Sequence, residues 1–298
     1  MFSSTRALSI RPAVLRQVHA GEKSELRLPG ILGIGPARTG TTWLDAVLRD
    51  HIGLPCDVKE TQFFKWHYDK GMKWYAWHFR NCPAELPAME ICPSYFDSIP
   101  ARNRIKEHIP DCRIICTLRD PVDRLYSVYR HYSGFSGFRS FEELIRVAPK
   151  LVECSDYIVH IREWFAQFGR ENVLVAFYED LEKSPQKFLD SICQFAGIPT
   201  FDLETTKAGS KKINAAVRKP PNWALGRAAG KCYGWLLSHR AYKVVNLAKK
   251  IRLWRLCFES GKEFGPPSPE IESGIRERLR PGIKALEELL GRDLSAWM

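Results

Sequence analysis

The sequence predicts an α/β protein: a three-layer α/β/α arrangement with a central, mostly parallel sheet and a phosphate-binding-type loop after the first strand. Short apolar runs alternate with helical patterns along the chain, the order expected when each strand is followed by a crossover helix. One run, Arg113-Ile-Ile-Cys-Thr-Leu118, is continuous rather than alternating, as in a parallel strand covered on both faces. The stretch from Leu28 to Arg49 reads as strand, glycine-bounded loop and helix: an apolar run from Gly30 to Ile34, then Gly35-Pro-Ala-Arg-Thr-Gly-Thr-Thr42, then a helical pattern.

Taken in order, Thr42 to Arg49 is expected to be a helix with Leu44, Val47 and Leu48 facing inward. Val58 to Trp66 leads into an aromatic stretch with Tyr68, Trp74, Tyr75, Trp77 and Phe79. Met89-Glu-Ile-Cys-Pro-Ser-Tyr-Phe96 is short and punctuated by proline, a strand end running into a loop. After the Arg113–Leu118 strand, Pro121 suits the first turn of a helix that continues through Tyr129. Asp156 to Phe168 is an amphipathic helix, Val173 to Phe177 a further strand, and Pro185 to Ala196 a helix closed by Gly197-Ile-Pro. Residues 222–257 read as two basic helices. Ser268 to Leu290 reads as a last helix with an approximate capping box at Ser268, which Pro281 is expected to kink or split.

A length of 298 residues suits one large domain, assigned to 28–298, behind an N-terminal extension at 1–27. The extension is Ser/Arg-rich, has no acid before Glu22 and lacks an apolar signal core; its two readings are a targeting segment and a partly ordered tail. No run of about 18 apolar residues exists, so no membrane span is expected. The nine cysteines are scattered, without CxxC pairs or Cys/His metal spacing. That pattern points to reduced thiols in a cytoplasm-like compartment, not to a disulfide framework or a zinc site. Cys112 and Cys116, in or beside a strand, read as small buried hydrophobes.

The net charge of +11 is unevenly placed. Between Glu204 and Glu259 there is no acid, and 13 of the 45 Lys and Arg residues fall there, leaving 32 bases against 34 acids elsewhere. The basicity therefore belongs to one helical insertion, about 207–258.

The loop matches the outline of a phosphate cradle, in which backbone N–H groups and the positive end of a helix converge on one anion. The nucleotide-triphosphatase version places Lys after the second glycine. Here Thr41 stands there, and Arg38 is the cation of the loop, so the loop suits an anion other than Mg-ATP. Arg119 and Ser127, eight residues apart, suggest a second anion site beside the helix they share. Both Arg38 and Arg119 fall at the carboxyl ends of strands, where ligands of parallel sheets bind.

Together these motifs resemble the sulfotransferases. Gly35-Pro-Ala-Arg-Thr-Gly-Thr-Thr42 is similar to their phosphosulfate-binding loop, and Leu118-Arg-Asp-Pro-Val-Asp-Arg-Leu-Tyr-Ser127 to their second motif. Lys59-Glu-Thr-Gln-Phe-Phe-Lys-Trp66 and Gly71-Met-Lys-Trp-Tyr75 are similar to segments of the heparan-sulfate branch, and Leu286 to Trp297 to the ending of bacterial members. The resemblance covers about residues 28–200 and 268–297. It implies the donor 3′-phosphoadenosine 5′-phosphosulfate, without a metal, and transfer of a sulfuryl group to a hydroxyl or amine. It also implies that Arg38, Thr39, Gly40, Thr41 and Thr42 hold the 5′-phosphosulfate, that Arg119 and Ser127 hold the 3′-phosphate, and that Glu60 is the general base. Asn214 and Arg218, with Lys211 and Lys212, fall where the family has a basic loop over the adenine and 3′-phosphate. Two departures stand out. Arg38 replaces the lysine of the heparan-sulfate branch, as in the tyrosylprotein branch. Ile91, in Met89-Glu-Ile-Cys-Pro93, replaces a lysine that contributes to catalysis, so either Arg38 suffices, another cation enters, or the acceptor is not a glycan.

His67 and His78 are read as packing or substrate contacts. Trp66, Tyr68, Trp74 and Trp77 are either core or a stacking surface for an acceptor ring. The acceptor itself is left as a small molecule, a glycan or a lipid-linked group. The basic insertion reads as a lid over the donor, as a peripheral membrane contact or as a surface for an acidic polymer; no motif supports nucleic-acid binding. The expected location is cytoplasmic. Two rivals remain at this level: a nucleotide kinase or NTPase, and a non-catalytic nucleotide- or membrane-binding scaffold.

Overall fold

The computed structural model describes residues 26–206 apart from positions 137 and 139, residues 264–298, and a few short pieces between 228 and 247. Most of the basic insertion, with Lys211, Lys212, Asn214 and Arg218, lies outside the described residues, as does almost all of the extension at 1–27. Among the described residues, no helix is long and apolar enough to cross a membrane.

Four parallel strands form the sheet: β1 (Ile31–Gly33), β2 (Met89–Ile91), β3 (Arg113–Leu118) and β4 (Val173–Phe177), in the order β2-β1-β3-β4. Gly33 stands opposite Ile91 on one side and Ile115 on the other, and Leu118 stands opposite Phe177. The helices are α1 (Thr41–Leu48), α2 (Phe63–Trp66), α3 (Gly71–Trp77), α4 (Ile99–His108), α5 (Pro121–Ser136), α6 (Phe141–Val147), α7 (Pro149–Glu153), α8 (Tyr157–Phe168), α9 (Tyr178–Lys183), α10 (Pro185–Ala196) and α11 (Pro269–Leu290).

Continuity of the apolar runs has a direct structural cause. Ile114, Cys116 and Leu118 face one hydrophobic cluster with residues of α4, α5, α8 and α11, while Ile115 faces a second with residues of α1 and α10. Both faces of the sheet are therefore covered, and alternation has no reason to arise. Cys112 and Cys116 are buried, and burial pushes the Cys112 thiol up to about 12 and that of Cys116 above its ordinary value as well. Every cysteine among the described residues is free.

α5 runs to Ser136, well beyond Tyr129. α11 is one helix rather than two. Pro281 lies inside it on the water-facing side, while Ile275, Leu279, Ile283 and Leu286 stay buried on either side of it. Each leucine or isoleucine so buried contributes about 1.5–3 kcal/mol. That continuous apolar stripe outweighs the single backbone hydrogen bond which proline removes. Ser268 caps the helix by accepting from the N–H of Ile271 at 3.4 Å.

Candidate functional site

The pocket lies where β1, β2 and β3 end. The Ile34 N–H donates to the Ile115 carbonyl, carrying β1 to the start of the loop. Gly35 then passes against β3 so closely that a methyl group there would run into the side chain and backbone of Thr117. Thr39 Oγ1 donates to the Pro36 carbonyl at 2.7 Å and shares a 2.7 Å hydrogen bond with Thr117 Oγ1, stapling the loop to β3. Gly40 leads into α1 at φ 92°, a left-handed conformation that glycine reaches without strain. No side chain caps α1, so its first amides are left to an outside partner, and a helix N-terminus of this kind favours an anion.

Arg38, Thr41, Thr42, Lys59 and Glu60 line one pocket of about 440 Å³, with Pro93 and Ser94 beyond β2 and His131 and Tyr132 on α5. Two non-glycine residues among those described have positive φ, Arg38 at 76° and Gln62 at 54°, and both line this pocket. Such conformations cost about 1–2 kcal/mol per residue. Arg38 uses its turn to send its Nε to Ser127 Oγ at 2.9 Å. Burial first, and the like charges of Arg119 and Arg130 after it, hold the Arg38 guanidinium below its usual value.

Thr39 and Gly40 shape the loop but are not among the residues that line the pocket, and the Thr39 side chain is buried against Thr117. Arg119 lies over the Tyr178 ring at 4.4 Å and 3.5 Å from Asp123, outside the residues that line the pocket. Its Nε and that of Arg130 are buried without a hydrogen-bond partner. Two guanidinium donors left unmet beside a third, Arg38, form a set that an anion of several charges would satisfy. Arg119 is held from behind: its carbonyl accepts from Tyr157 Oη at 2.9 Å, and Asp120 Oδ1 caps α5 through the N–H groups of Val122 and Asp123. Arg276 of α11 donates to Asp120 Oδ2 at 2.9 Å and to the Trp297 carbonyl at 2.9 Å, tying the end of the chain to this corner.

Glu60 lines the same pocket as Arg38, and Lys59 Nζ donates to its Oε1 at 2.7 Å. The segment carrying it is fixed by a residue that spacing alone does not single out. Glu90 of β2 is fully buried. It accepts from the Thr61 N–H at 2.8 Å and Thr61 Oγ1 at 2.6 Å on one oxygen, and from Tyr75 at 2.8 Å and Tyr95 at 3.1 Å on the other. Burial raises the Glu90 carboxyl above its ordinary value, and the four donors oppose that rise. Its neighbour Ile91 faces the α1-side core, completely buried. The cations that join Arg38 at the pocket are Lys59, Lys65 and Arg124.

Of the aromatic candidates, Trp66 lines the pocket and is 57% exposed. Trp74 packs on Phe63, Tyr68 shares a 2.7 Å hydrogen bond with His108, and Trp77 lies 3.4 Å from the Arg80 guanidinium. His78 is buried between Trp74 and Trp77, and His67 packs on Trp74. The histidine at the pocket is instead His131, one helical turn beyond Ser127. Its imidazole is pushed down to about 4, by desolvation first and by the Arg38 charge second. Among the described residues, no three His, Cys, Asp or Glu side chains come together as a metal site.

Comparison with known proteins sets this geometry in context. The model of the sulfotransferase domain matches residues 29–217. The bifunctional heparan sulfate N-deacetylase/N-sulfotransferase 1 of Mus musculus is 31% identical over 278 residues, covering 83% of this chain and 31% of its own. The corresponding protein 4 of the same organism is 30% identical over 208 residues, covering 61% of this chain and 24% of its own. The chain thus spans about a quarter to a third of the length of the curated relatives it matches. Among solved structures, a sulfotransferase from Alicyclobacillus acidocaldarius superposes with a TM-score of 0.63 at 21% identity, covering 91% of this chain and 98% of that one, a likeness of fold.

Proposed function

The chain belongs to the sulfotransferase family, and on that premise we propose that it transfers a sulfuryl group from 3′-phosphoadenosine 5′-phosphosulfate to a hydroxyl or amine, with Glu60 as general base. The observation that carries this reading is the convergence of Arg38, Thr41, Thr42 and Glu60 on one pocket at the carboxyl ends of the strands. A carboxylate and a guanidinium lining one pocket are the pair that proton removal and anion stabilisation require. The unmet Arg119 and Arg130 donors fit a nucleotide bearing several negative charges.

Bound, the donor supplies an activated sulfuryl group and a nucleotide leaving group. The residues of this chain do the rest. The amides of α1 with Thr41 and Thr42 would hold the phosphosulfate end, and the Arg38 guanidinium would supply positive charge beside it. Arg119 and Ser127 are proposed to hold the 3′-phosphate, with Asn214 and Arg218, which lie outside the described residues, as further contacts to the nucleotide. Glu60 takes the proton from the attacking hydroxyl or amine, and Lys59 keeps its carboxylate oriented beforehand. Most of the rate then comes from positioning and fixed charge.

Calorimetry tests the donor: adenosine 3′,5′-bisphosphate is expected to bind at least tenfold more tightly than Mg-ATP. Equal affinity would favour a nucleotide-triphosphatase reading instead. Glu60→Gln is expected to bind the bisphosphate as wild type does and to lose about 10²–10⁴-fold in transfer of label from the donor. Full activity in that variant would remove Glu60 from the mechanism.

A further inference from the structure

A second cavity, of about 660 Å³, adjoins the first, and the two share Lys65, Asp97 and Cys154 as lining. Lys65 Nζ lies 3.1 Å from Asp97 Oδ1, so one ion pair stands where the two spaces meet. The outer cavity has the volume of a small-molecule site, roughly 300–1,000 Å³. It opens between the start of α4, α7, the first turns of α8 and α11.

Its walls differ from those of the inner pocket in charge balance. Ile99, Pro100, Val152, Val159 and Leu279 supply an apolar surface, and Ile99 and Val159 are left 61% and 54% exposed. Among the described residues, the bases Lys65, Lys150 and Arg278 are matched by the acids Asp97, Glu153 and Asp156. A polyanionic chain threaded through this space would meet three carboxylates with no surplus of cations to offset them, an arrangement that selects against it. A compact molecule with an apolar body would instead cover Ile99 and Val159 and extend its polar end past the Lys65–Asp97 pair towards Glu60.

We propose that the outer cavity is the acceptor site and that it takes a compact amphipathic alcohol or amine, not a polyanionic glycan; this rests on the transferase reading above. The polar end enters the inner pocket, where Glu60 takes the proton of the attacking oxygen or nitrogen. The sulfuryl sulfur forms its new bond to that atom as its bond to the nucleotide phosphate oxygen breaks. The charge leaves with the nucleotide.

Saturation-transfer NMR on the full chain tests this, with tyramine, phenethyl alcohol and 1-hexanol as probes and an N-deacetylated heparosan hexasaccharide as competitor. Each measurement is made with and without adenosine 3′,5′-bisphosphate. The expected result is that at least one amphipathic probe binds and that Ile99→Glu/Val159→Glu, at two exposed positions, weakens it at least tenfold. The hexasaccharide is expected not to displace it. Probe signals equal in wild type and the double variant, null signals in both included, would overturn the assignment, as would displacement by the hexasaccharide. Calorimetry of both proteins with the bisphosphate separates the two levels. Absence of nucleotide binding to wild type counts against the transferase reading, while the nucleotide-free probe experiment still decides the cavity.

Discussion

Arg38 Nε donates to Ser127 Oγ at 2.9 Å, joining two motifs that lie 89 residues apart in the chain. The loop after β1 and the helix after β3 are thereby one unit before any ligand arrives. The contact also explains how a residue at φ 76° keeps a fixed side-chain direction.

Ser127→Ala removes that tether without adding volume. A hydrogen bond to a charged group contributes about 1.5–3 kcal/mol. Affinity for adenosine 3′,5′-bisphosphate is expected to fall about tenfold or more by calorimetry, and the melting temperature by a few degrees. Unchanged affinity would count against both the tether to Arg38 and the proposed contact of Ser127 with the 3′-phosphate.

Glu90→Gln preserves shape but presents an amide to four donors, so that at least one of Thr61, Tyr75 and Tyr95 loses its acceptor. A buried donor left unmet costs about 1–3 kcal/mol. The variant is expected to unfold at lower denaturant and to transfer label more slowly, because the segment bearing Glu60 loosens, while still binding the bisphosphate. Glu90→Asp, which keeps the charge but shortens the reach, should recover part of the stability. A variant as stable and active as wild type would count against the anchoring role.

His131 supplies a pH signature. Its imidazole is held at about 4 against an ordinary value of 6.5, so the folded state binds its proton more weakly than the unfolded state. The resulting contribution to stability is present above pH 6.5 and is lost as pH falls through about 4. An anion beside Arg38 offsets the like-charge part of that depression, so bisphosphate binding between those two values should be accompanied by proton uptake. Calorimetry at pH 5.5 in buffers of different ionisation enthalpy measures it. His131→Asn is expected to abolish the uptake, and uptake unchanged in that variant would assign it to another group.

Arg276→Leu cuts the link from α11 to Asp120 and to the Trp297 carbonyl. Asp120 keeps its capping bonds but loses its cation, at a cost of about 2 kcal/mol for a partly buried charge-assisted hydrogen bond. The start of α5 carries Arg119, so nucleotide affinity should drop along with stability. Arg276→Lys, which restores charge but not the forked geometry, is expected to fall between. A stable variant with weakened nucleotide binding, or the reverse, would show that the corner is not a single unit.

Strands β1, β3 and β4 and helices α5 and α10 were legible because their apolar runs are local, with Gly and Pro marking the ends. Arg38, Thr41, Thr42 and Glu60 were legible as motif residues, and the fold brings them to one pocket. Glu90 was not, because a carboxylate looks the same in sequence whether it meets water or four donors. Those donors come from 15 to 29 positions away for Tyr75 and Thr61, and from the turn after β2 for Tyr95. His131 had a usable signal, the one-turn spacing from Ser127 on a helix, which the nearer histidines among the aromatics obscured. α4 and α6 had theirs too, in the serine caps Ser98 and Ser140. The depth of Ile91 depended on knowing which side of β2 faced α1.

The positive φ angles of Arg38 and Gln62 carry an evolutionary consequence. Glycine at either place would relieve a conformational strain of about 1–2 kcal/mol, but it would also widen the unfolded ensemble at a cost of about 0.5–1 kcal/mol. At position 38 it would forfeit the hydrogen bond to Ser127 as well. A laboratory lineage selected only for surviving high temperature would therefore gain little at Gln62 and nothing at Arg38, where stability and pocket chemistry ask for the same side chain.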